Sequence, residues 1–368
     1  MIRMSKIYTL DALHIESLLS PKAFKQELPA LGNHLEFVDE SRKIINDILS
    51  GNDQRLLLIV GPCSIHDVKS AREYASNLLS LNRAVSKNFF VVMRTYFEKP
   101  RTALGWKGML YDPHLDGSND IASGIRQARQ LLLDLAEMKI PTATEFLDPL
   151  SPPFLNDLIS WSCIGARTTE SQVHRQLASG LPMPVAFKNS TSGNINVAIK
   201  GILTAACPHA FFGIDDLGQI SIVRTQGNPN AHIALRGGEN SPNYDAQSIK
   251  KSLELLKKNN LPERIIVDCA HDNSKRCPDK QKIVFESIIQ QYLEGNTAIR
   301  GLALESNLYG GSQCIPLEKS RLRYAISITD PCLDWEQTNA LILKNAALLD
   351  KKQKTSFIET ASDDAWAK

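Results

Sequence analysis

The amino-acid sequence predicts an α/β fold, a (β/α)8 barrel with an N-terminal extension and an inserted β-hairpin between the fifth and sixth units. Two observations lead to this fold class. Short apolar runs that resemble buried strands alternate with longer amphipathic stretches, and eight such strand–helix units can be counted. Continuous apolar strands are typical of a parallel sheet covered by helices, and eight units favour a closed barrel. A doubly wound open sheet is the structural alternative, because periodicity does not count strands reliably.

The elements can be placed in order from the apolar runs. The first strand is predicted at 56–60, where the sequence LLLIV is closed by Gly61 and Pro62. Seven further strands are predicted at 89–93, 141–146, 162–166, 185–187, 232–235, 264–267 and 299–304. The amphipathic stretches that follow the strands predict a short helix after Pro152 and Pro153 and longer helices at 70–81, 121–138, 171–179, 195–206, 245–259, 279–294 and 337–349.

Three segments lie outside this repeat. Residues 1–50 form an extension with a helical pattern at 35–49, and residues 351–368 form a C-terminal tail of loose order. Between units five and six, residues 207–231 contain two apolar runs around the turn sequence Asp216–Leu217–Gly218, which predicts a hairpin. The barrel of residues 51–350 needs neither the extension nor the hairpin. We therefore expect the extension to serve oligomerisation or regulation and the hairpin to serve subunit contact, in a homodimer or homotetramer.

Composition excludes several function classes. A net charge of +2 over 368 residues gives a weak overall field, so no nucleic-acid or membrane binding is expected from charge. No apolar run approaches the roughly 18–20 residues of a membrane span. The N-terminus lacks an apolar signal core, and the seven cysteines are scattered and odd in number. A cytoplasmic protein in a reducing compartment is the simplest interpretation.

Polar residues follow directly after each predicted strand. In a barrel these positions meet at the C-terminal mouth. Four of them are cations, namely Arg94, Arg167, Lys188 and Arg236. So many cations in one pocket require anions to offset their repulsion, and arginine matches carboxylate and phosphate groups in a planar fork. The sequence therefore predicts a small, highly anionic substrate, although any single polar strand end can be explained by the chain leaving the core.

A second group at the same strand ends is suited to a metal ion. It consists of Cys63, His271, Glu305 and, in the loop beyond strand eight, Asp330. Thiolate, imidazole and carboxylates together favour a divalent transition metal over magnesium or calcium. The four residues come from distant chain segments, so no compact spacing motif supports this interpretation. The alternative is a buried thiol, a hydrogen-bonded histidine and two solvated acids.

At these residues the sequence resembles the microbial, feedback-regulated class I 3-deoxy-D-arabino-heptulosonate 7-phosphate (DAHP) synthases. The resemblance runs from about residue 51 to about residue 335. Its motifs occur in order as GPCSIHD at 61–67, MRTYFEKPRTALGWKG at 93–108, EFLDP at 145–149, GARTTESQ at 165–172, FKN at 187–189, HIALRGG at 232–238, DCAHDNS at 268–274, LESNL at 304–308 and SITDPCLDW at 327–335. Each motif alone is weak, but the ordered set is specific.

The resemblance implies a barrel enzyme that condenses phosphoenolpyruvate with D-erythrose 4-phosphate in the first step of the shikimate pathway. It implies Cys63, His271, Glu305 and Asp330 as ligands of a divalent Mn, Fe, Co or Zn ion. It assigns to phosphoenolpyruvate the residues Arg94, Ala166, Arg167, Lys188 and Arg236. It places Lys99, Arg101 and Thr102 at the aldose phosphate and reacting centre, and it implies catalytic roles for Lys99, Glu145 and His271. The alternatives, without the resemblance, are that Lys99 is a solvated loop lysine and that Glu145 pairs with an arginine.

The sequence departs from the family pattern in places. Asn189–Ser190–Thr191–Ser192–Gly193 stands where N-G-T-D-G is frequent, and Cys269–Ala270 where Phe-Ser is common. Near the N-terminus, the segment at 11–15 (DALHI) lacks the second acid and the arginine of feedback-regulated relatives. Farther along the chain, Pro182 stands where relatives that sense an aromatic amino acid usually have a serine. The differences at 11–15 and at Pro182 predict that inhibition by phenylalanine, tyrosine or tryptophan is altered or absent.

Other functions are compatible with parts of this pattern. A 3-deoxy-octulosonate 8-phosphate synthase shares the chemistry but takes arabinose 5-phosphate, and it has Lys-Ala-Asn-Arg where this chain has Lys99–Pro100–Arg101–Thr102. A Schiff-base aldolase using Lys188 is a second enzymatic rival. A catalytically silent regulatory paralogue should have lost a ligand or clamp residue, and none is missing. An anion-binding module would leave Cys63, Glu305 and Asp330 without explanation.

Overall fold

The computed structural model describes residues 15–363, with side chains described as far as residue 352. Eight parallel strands form a closed barrel in the order β1-β10-β9-β8-β5-β4-β3-β2. These strands are β1 (Leu56–Gly61), β2 (Phe89–Arg94), β3 (Thr142–Glu145), β4 (Trp161–Ile164), β5 (Val185–Lys188), β8 (His232–Leu235), β9 (Ile265–Asp268) and β10 (Ile299–Glu305). Strand β1 pairs with both β2 and β10, so the sheet has no edge and the barrel prediction is confirmed over the open-sheet alternative.

Helices surround the barrel and follow its strands. They are α1 (Pro21–Glu27), α2 (Gly32–Ser50), α3 (Val68–Val85), α4 (Ile121–Glu137), α5 (Pro152–Leu155), α6 (Gln172–Ala178), α7 (Asn196–Ala205), α8 (Ala246–Lys258), α9 (Pro278–Leu293) and α10 (Trp335–Asp363). Helix α10 continues well past the predicted end at residue 349 into the segment expected to be a loose tail, because the sequence after Trp335 contains no glycine or proline. No helix in the described part of the chain is long and apolar enough to cross a bilayer.

The inside and the outside of the barrel form separate apolar clusters. Outward-facing strand residues pack against the helices in one large cluster. The inward-facing residues, among them Leu57 and Trp161, form a second cluster with Ile45, Ile48 and Leu49 of α2. Helix α2 therefore contributes side chains to the barrel interior. The C-terminal end of the barrel is left for polar side chains.

The inserted hairpin lies between α7 and β8, as predicted. Strands β6 (Ala210–Ile214) and β7 (Ile220–Arg224) pair antiparallel in a sheet of their own. Gly218 adopts φ +78° in the connecting turn, a conformation that favours glycine. The backbone N–H of Lys22 donates to the carbonyl of Asp216 at 2.9 Å and links the N-terminal extension to this turn. Phe212 and Ile220 are exposed on the hairpin, and the expected homo-oligomer stays a prediction.

Candidate active site

The C-terminal mouth of the barrel contains a polar cavity. It is lined by Tyr96, Lys99, Pro100, Arg101, Glu145, Gly165, Ala166, Arg167, Lys188, Arg236, His271, Arg276, Thr329 and Asp330. Nine of these residues were predicted from sequence as site residues. Arg94, Cys63 and Glu305 are buried at the adjoining strand ends of β2, β1 and β10. The carboxyl ends of parallel strands converge here, so residues from distant chain segments share one site.

Three of the four predicted clamp cations are paired with buried or partly buried acids. Arg94 donates to Glu305 at 2.9 Å, and Lys188 donates to Asp268 at 2.8 Å. Arg236 forms a short contact with the carboxylate of Asp272. The strand-end positions of these cations did not predict these acidic partners, so the protein itself neutralises more of the positive charge than the sequence indicates. Arg167, exposed at the rim of the cavity, belongs to the same ring of cations.

Arg94 is held rigidly below the cavity. Its side chain is 1% exposed, its Nε donates to the carbonyl of Pro62 at 3.3 Å, and its guanidinium stacks on the Tyr96 ring at 4.0 Å. Burial acts to lower the pKa of Arg94, but Tyr96 and Glu305 outweigh it and raise the pKa. Arg94 is therefore a fixed positive charge at every physiological pH.

A cluster able to hold a metal ion lies beside these cations. Ligand atoms of Cys63, Glu305 and Asp330 all lie within 4.8 Å of one another. The Ser64 hydroxyl meets that of Thr329 at 2.8 Å, which joins the segment carrying Cys63 to the loop carrying Asp330. One thiol and two carboxylates are donors that suit a divalent transition metal.

His271 stands next to this cluster rather than fully within it. Its Nε2 is 3.8 Å from Glu305 Oε1, and its Nδ1 lies 2.9 Å from Asp268 Oδ2 but is poorly aligned for a hydrogen bond. The backbone of His271 adopts φ +53°, which a non-glycine residue rarely does. An acid behind one imidazole nitrogen, with the other facing the cluster, is the usual arrangement of a metal-binding histidine.

The charges around the thiol also favour a cation. Burial and the Glu305 carboxylate raise the pKa of Cys63, while Lys99 lowers it. Burial acts to raise the pKa of Asp330, but Lys99 and His271 outweigh it and lower the pKa. The Lys99 Nζ lies 3.2 Å from the Cys63 sulfur and donates to the Cys63 carbonyl at 3.2 Å. A thiolate at this position therefore needs positive charge close by, and the residues present fit a metal cation.

Glu145 has an unsatisfied oxygen at the cavity. The residue is 5% exposed, and its Oε1 is buried without a hydrogen-bond partner among the described residues. A Cβ on Gly165 would lie 2.0 Å from that oxygen, so only glycine leaves the carboxylate room there. Buried carboxylate oxygens normally accept a hydrogen bond, so this oxygen is suited to bind a substrate or a water molecule.

The structure adds lining residues that the sequence reasoning missed and leaves one predicted residue outside. Tyr96 and Arg276 line the cavity; Tyr96 stood within the recognised motif, whereas Arg276 had no signal. Arg276 donates to Asp330 at 3.2 Å and lies near Asp272. Thr102 is exposed and is not among the lining residues. Arg101 does line the cavity, and its Nε donates to the Trp106 carbonyl at 2.7 Å.

Comparison with known proteins finds similarity over most of the chain. A family model described as the DAHP synthetase I family matches residues 30–343. The Tyr-sensitive phospho-2-dehydro-3-deoxyheptonate aldolase of Escherichia coli K12 is 46% identical over 336 residues, which cover 90% of this chain and 94% of that protein. The Phe-sensitive enzyme of the same organism is 48% identical over 328 residues, 89% of this chain and 93% of that protein.

A solved structure extends the similarity to three dimensions. The phospho-2-dehydro-3-deoxyheptonate aldolase of Francisella tularensis SCHU S4 superposes with a TM-score of 0.89 at 42% identity, covering 92% of this chain and 98% of that one. Both the sequence match and the superposition span nearly the whole barrel. The chain belongs to the DAHP synthetase I family.

Proposed function

We propose that this protein condenses phosphoenolpyruvate with D-erythrose 4-phosphate and water to give DAHP and phosphate, the first step towards the aromatic amino acids. One observation carries the proposal. The cavity at the barrel mouth is lined by a ring of cations and Lys99, and by Asp330 of the Cys63–Glu305–Asp330 cluster. Membership of the DAHP synthetase I family supports the same reaction.

The cations bind phosphoenolpyruvate in this proposal. Arg94, Lys188 and Arg236 lie at the ends of three different strands, and Ala166 and Arg167 follow a fourth. Their guanidinium and ammonium groups hold the carboxylate and phosphate of the substrate by charge-assisted hydrogen bonds. Held at both ends, the substrate turns its C3 carbon towards the aldehyde carbon of the second substrate.

Cys63, His271, Glu305 and Asp330 would hold the divalent metal ion. Three of the four have ligand atoms within 4.8 Å of one another, and the Nε2 atom of His271 lies 3.8 Å from Glu305 Oε1. When bound, the ion supplies Lewis-acid polarisation of the aldehyde oxygen. The donor set is compatible with Mn, Fe, Co or Zn.

Lys99 and Glu145 carry the proton chemistry. The Lys99 ammonium lies beside the ligand cluster and gives its proton to the alkoxide that forms when C3 of phosphoenolpyruvate bonds to the aldehyde carbon. The unsatisfied Glu145 oxygen holds the water molecule that adds to C2 before phosphate leaves. Arg101 and Thr102 receive the phosphate end of the aldose, with Thr102 in an exposed segment beside the cavity.

The test is a condensation assay with erythrose 4-phosphate and arabinose 5-phosphate side by side, each with phosphoenolpyruvate, before and after treatment with a chelator. We expect phosphate release with erythrose 4-phosphate, loss of the rate after chelation, and recovery when a divalent metal is restored. Preference for arabinose 5-phosphate would show that the protein catalyses the 3-deoxy-octulosonate 8-phosphate reaction instead. No turnover with either aldose in the metal-loaded protein would contradict the proposal.

A further inference from the structure

A buried carboxylate joins two loops of the barrel mouth. Glu98, in the loop after β2, is 1% exposed. Its Oε1 accepts from the backbone N–H of Asp148 at 3.0 Å, and its Oε2 accepts from the backbone N–H of Leu147 at 3.2 Å and the hydroxyl of Ser151 at 2.9 Å. All three donors lie in the loop after β3. One side chain therefore fixes the separation of two loops that are about 50 residues apart in sequence.

The two joined segments carry the residues assigned to proton chemistry. Lys99 directly follows Glu98 in the chain, and Glu145 stands two residues before Leu147. Both Lys99 and Glu145 line the mouth cavity. A shift of Glu98 relative to the β3 loop would change the distance between the amine and the carboxylate, because each lies within two residues of a group joined by Glu98.

The backbone of the loop around Glu98 is closely packed against the segment at 107–108. Gly108 adopts φ +112°, and a Cβ there would lie 2.2 Å from the carbonyl oxygen of Phe97 and 2.7 Å from Cα of Glu98. The backbone N–H of Lys99 donates to the carbonyl of Lys107 at 2.9 Å. The backbone on both sides of Glu98 is thus held, and the carboxylate transmits its position to the neighbouring loop.

Burying a carboxyl group at this point is costly. Desolvation raises the pKa of Glu98 to about 7, against the opposing effect of the hydrogen bonds from Asp148, Leu147 and Ser151. A glutamine of the same shape offers a single acceptor oxygen to three donors, so its NH2 group would face at least one of them. A carboxylate satisfies the site because both of its oxygens accept.

We infer that Glu98 is a positioning residue, which sets Lys99 and Glu145 at the distance that the condensation requires. This inference rests on the proposed function for the roles of those two residues. Glu98 itself does not line the cavity and does not touch the reacting atoms. It acts through the β2 and β3 loops, and its hydrogen bonds go to Leu147, Asp148 and Ser151 rather than to the clamp cations.

The experiment compares Glu98→Gln and Ser151→Ala with wild type and with the control Glu263→Gln. Glu263 is an exposed glutamate in the loop before β9, at the opposite end of the barrel. We expect kcat of Glu98→Gln to fall about 100-fold, the size of effect that a misplacement of about 1 Å produces. The KM for phosphoenolpyruvate should stay within about twofold of wild type, because the anion clamp is untouched.

Ser151→Ala removes one donor and leaves the carboxylate and both backbone N–H groups in place. It therefore tests the contact between Glu98 and the β3 loop without changing the charge of a buried group. We expect a smaller fall in kcat, and the double variant should be no worse than Glu98→Gln alone, because both changes break the same interaction. The control Glu263→Gln should keep wild-type values.

A second readout does not depend on turnover. The rate at which acetic anhydride labels Lys99, followed by mass spectrometry of the peptide, should rise several-fold in Glu98→Gln and stay unchanged in Glu263→Gln. Unchanged labelling of Lys99, or a kcat within about twofold of wild type in Glu98→Gln, would overturn the inference. If the wild type is inactive but Lys99 is still labelled faster in Glu98→Gln, the proposed function is wrong. The conclusion that Glu98 positions Lys99 would then still hold.

Discussion

At the scale of single residues, Cys63 gives the sharpest test of the metal cluster. Its sulfur lies within 4.8 Å of ligand atoms of Glu305 and Asp330, and it is the one soft donor of that group. Cys63→Ala should lower the metal content of the purified protein and abolish turnover, with a loss of metal affinity above the roughly 10–100-fold that changes outside the ligand set produce. Metal content is measured by elemental mass spectrometry alongside the rate.

The matched control for this change is Cys207→Ala, which removes an exposed thiol far from the cluster in sequence. Its metal content and rate should equal those of wild type. Full metal content together with a normal rate in Cys63→Ala would show that the cysteine is only a buried apolar residue of the barrel mouth.

At the scale of elements, a buried histidine joins two strands at the N-terminal end of the barrel. His232 opens β8, and its Nε2 accepts from the indole Nε1 of Trp161, which opens β4, at 3.1 Å. Burial and the nearby Arg264 lower the pKa of His232 to about 3. The imidazole therefore stays neutral in the folded protein, while it titrates normally in the unfolded chain.

The sign of the pH effect follows from this difference. Above the unfolded pKa of about 6.5 the contribution of His232 to stability is fully present, and it is lost as the pH falls from there towards 3. Between pH 7 and pH 5 we expect this group to remove about 2 kcal/mol from the free energy of unfolding. Denaturant unfolding at both pH values should show a smaller loss in His232→Gln, and the same loss as wild type in the exposed control His114→Gln. An identical pH dependence in all three proteins would contradict the assignment.

At the scale of the whole molecule, regulation is the property most in question. The similar Escherichia coli enzymes are named as Tyr-, Trp- and Phe-sensitive. In this chain the altered N-terminal motif at 11–14 lies outside the described residues, and Pro182 is exposed in the loop between α6 and β5. We expect initial rates to fall by less than about twofold at saturating phenylalanine, tyrosine or tryptophan, tested singly, because a loss of ligand contacts leaves no coupling free energy. Strong inhibition by any one of them would refute this.

Eight apolar runs predicted eight covered parallel strands, although closure into a barrel rather than an open sheet came from the pairing of β1 with β10. Parallel strands that close into a barrel bring their carboxyl ends to one mouth. Arg94, Lys188 and Arg236 could therefore be placed together from strand ends alone. The ordered motifs predicted Cys63 and Asp330 as metal ligands, although the spacing of these two residues in the chain carries no signal.

The balance of these charges and the position of the loops that carry them follow from the packing of the folded chain. Side chains in loops make the contacts that balance the site, namely Asp272 with Arg236, Arg276 with Asp330 and Glu98 with the β3 loop. The exposure of Thr102 also depends on the path of a loop. Strand periodicity fixes where a chain leaves the barrel, but it does not fix the path of the loop that follows. Contacts between loops depend on side-chain reach and backbone turns such as φ +53° at His271, and the folded packing alone sets these.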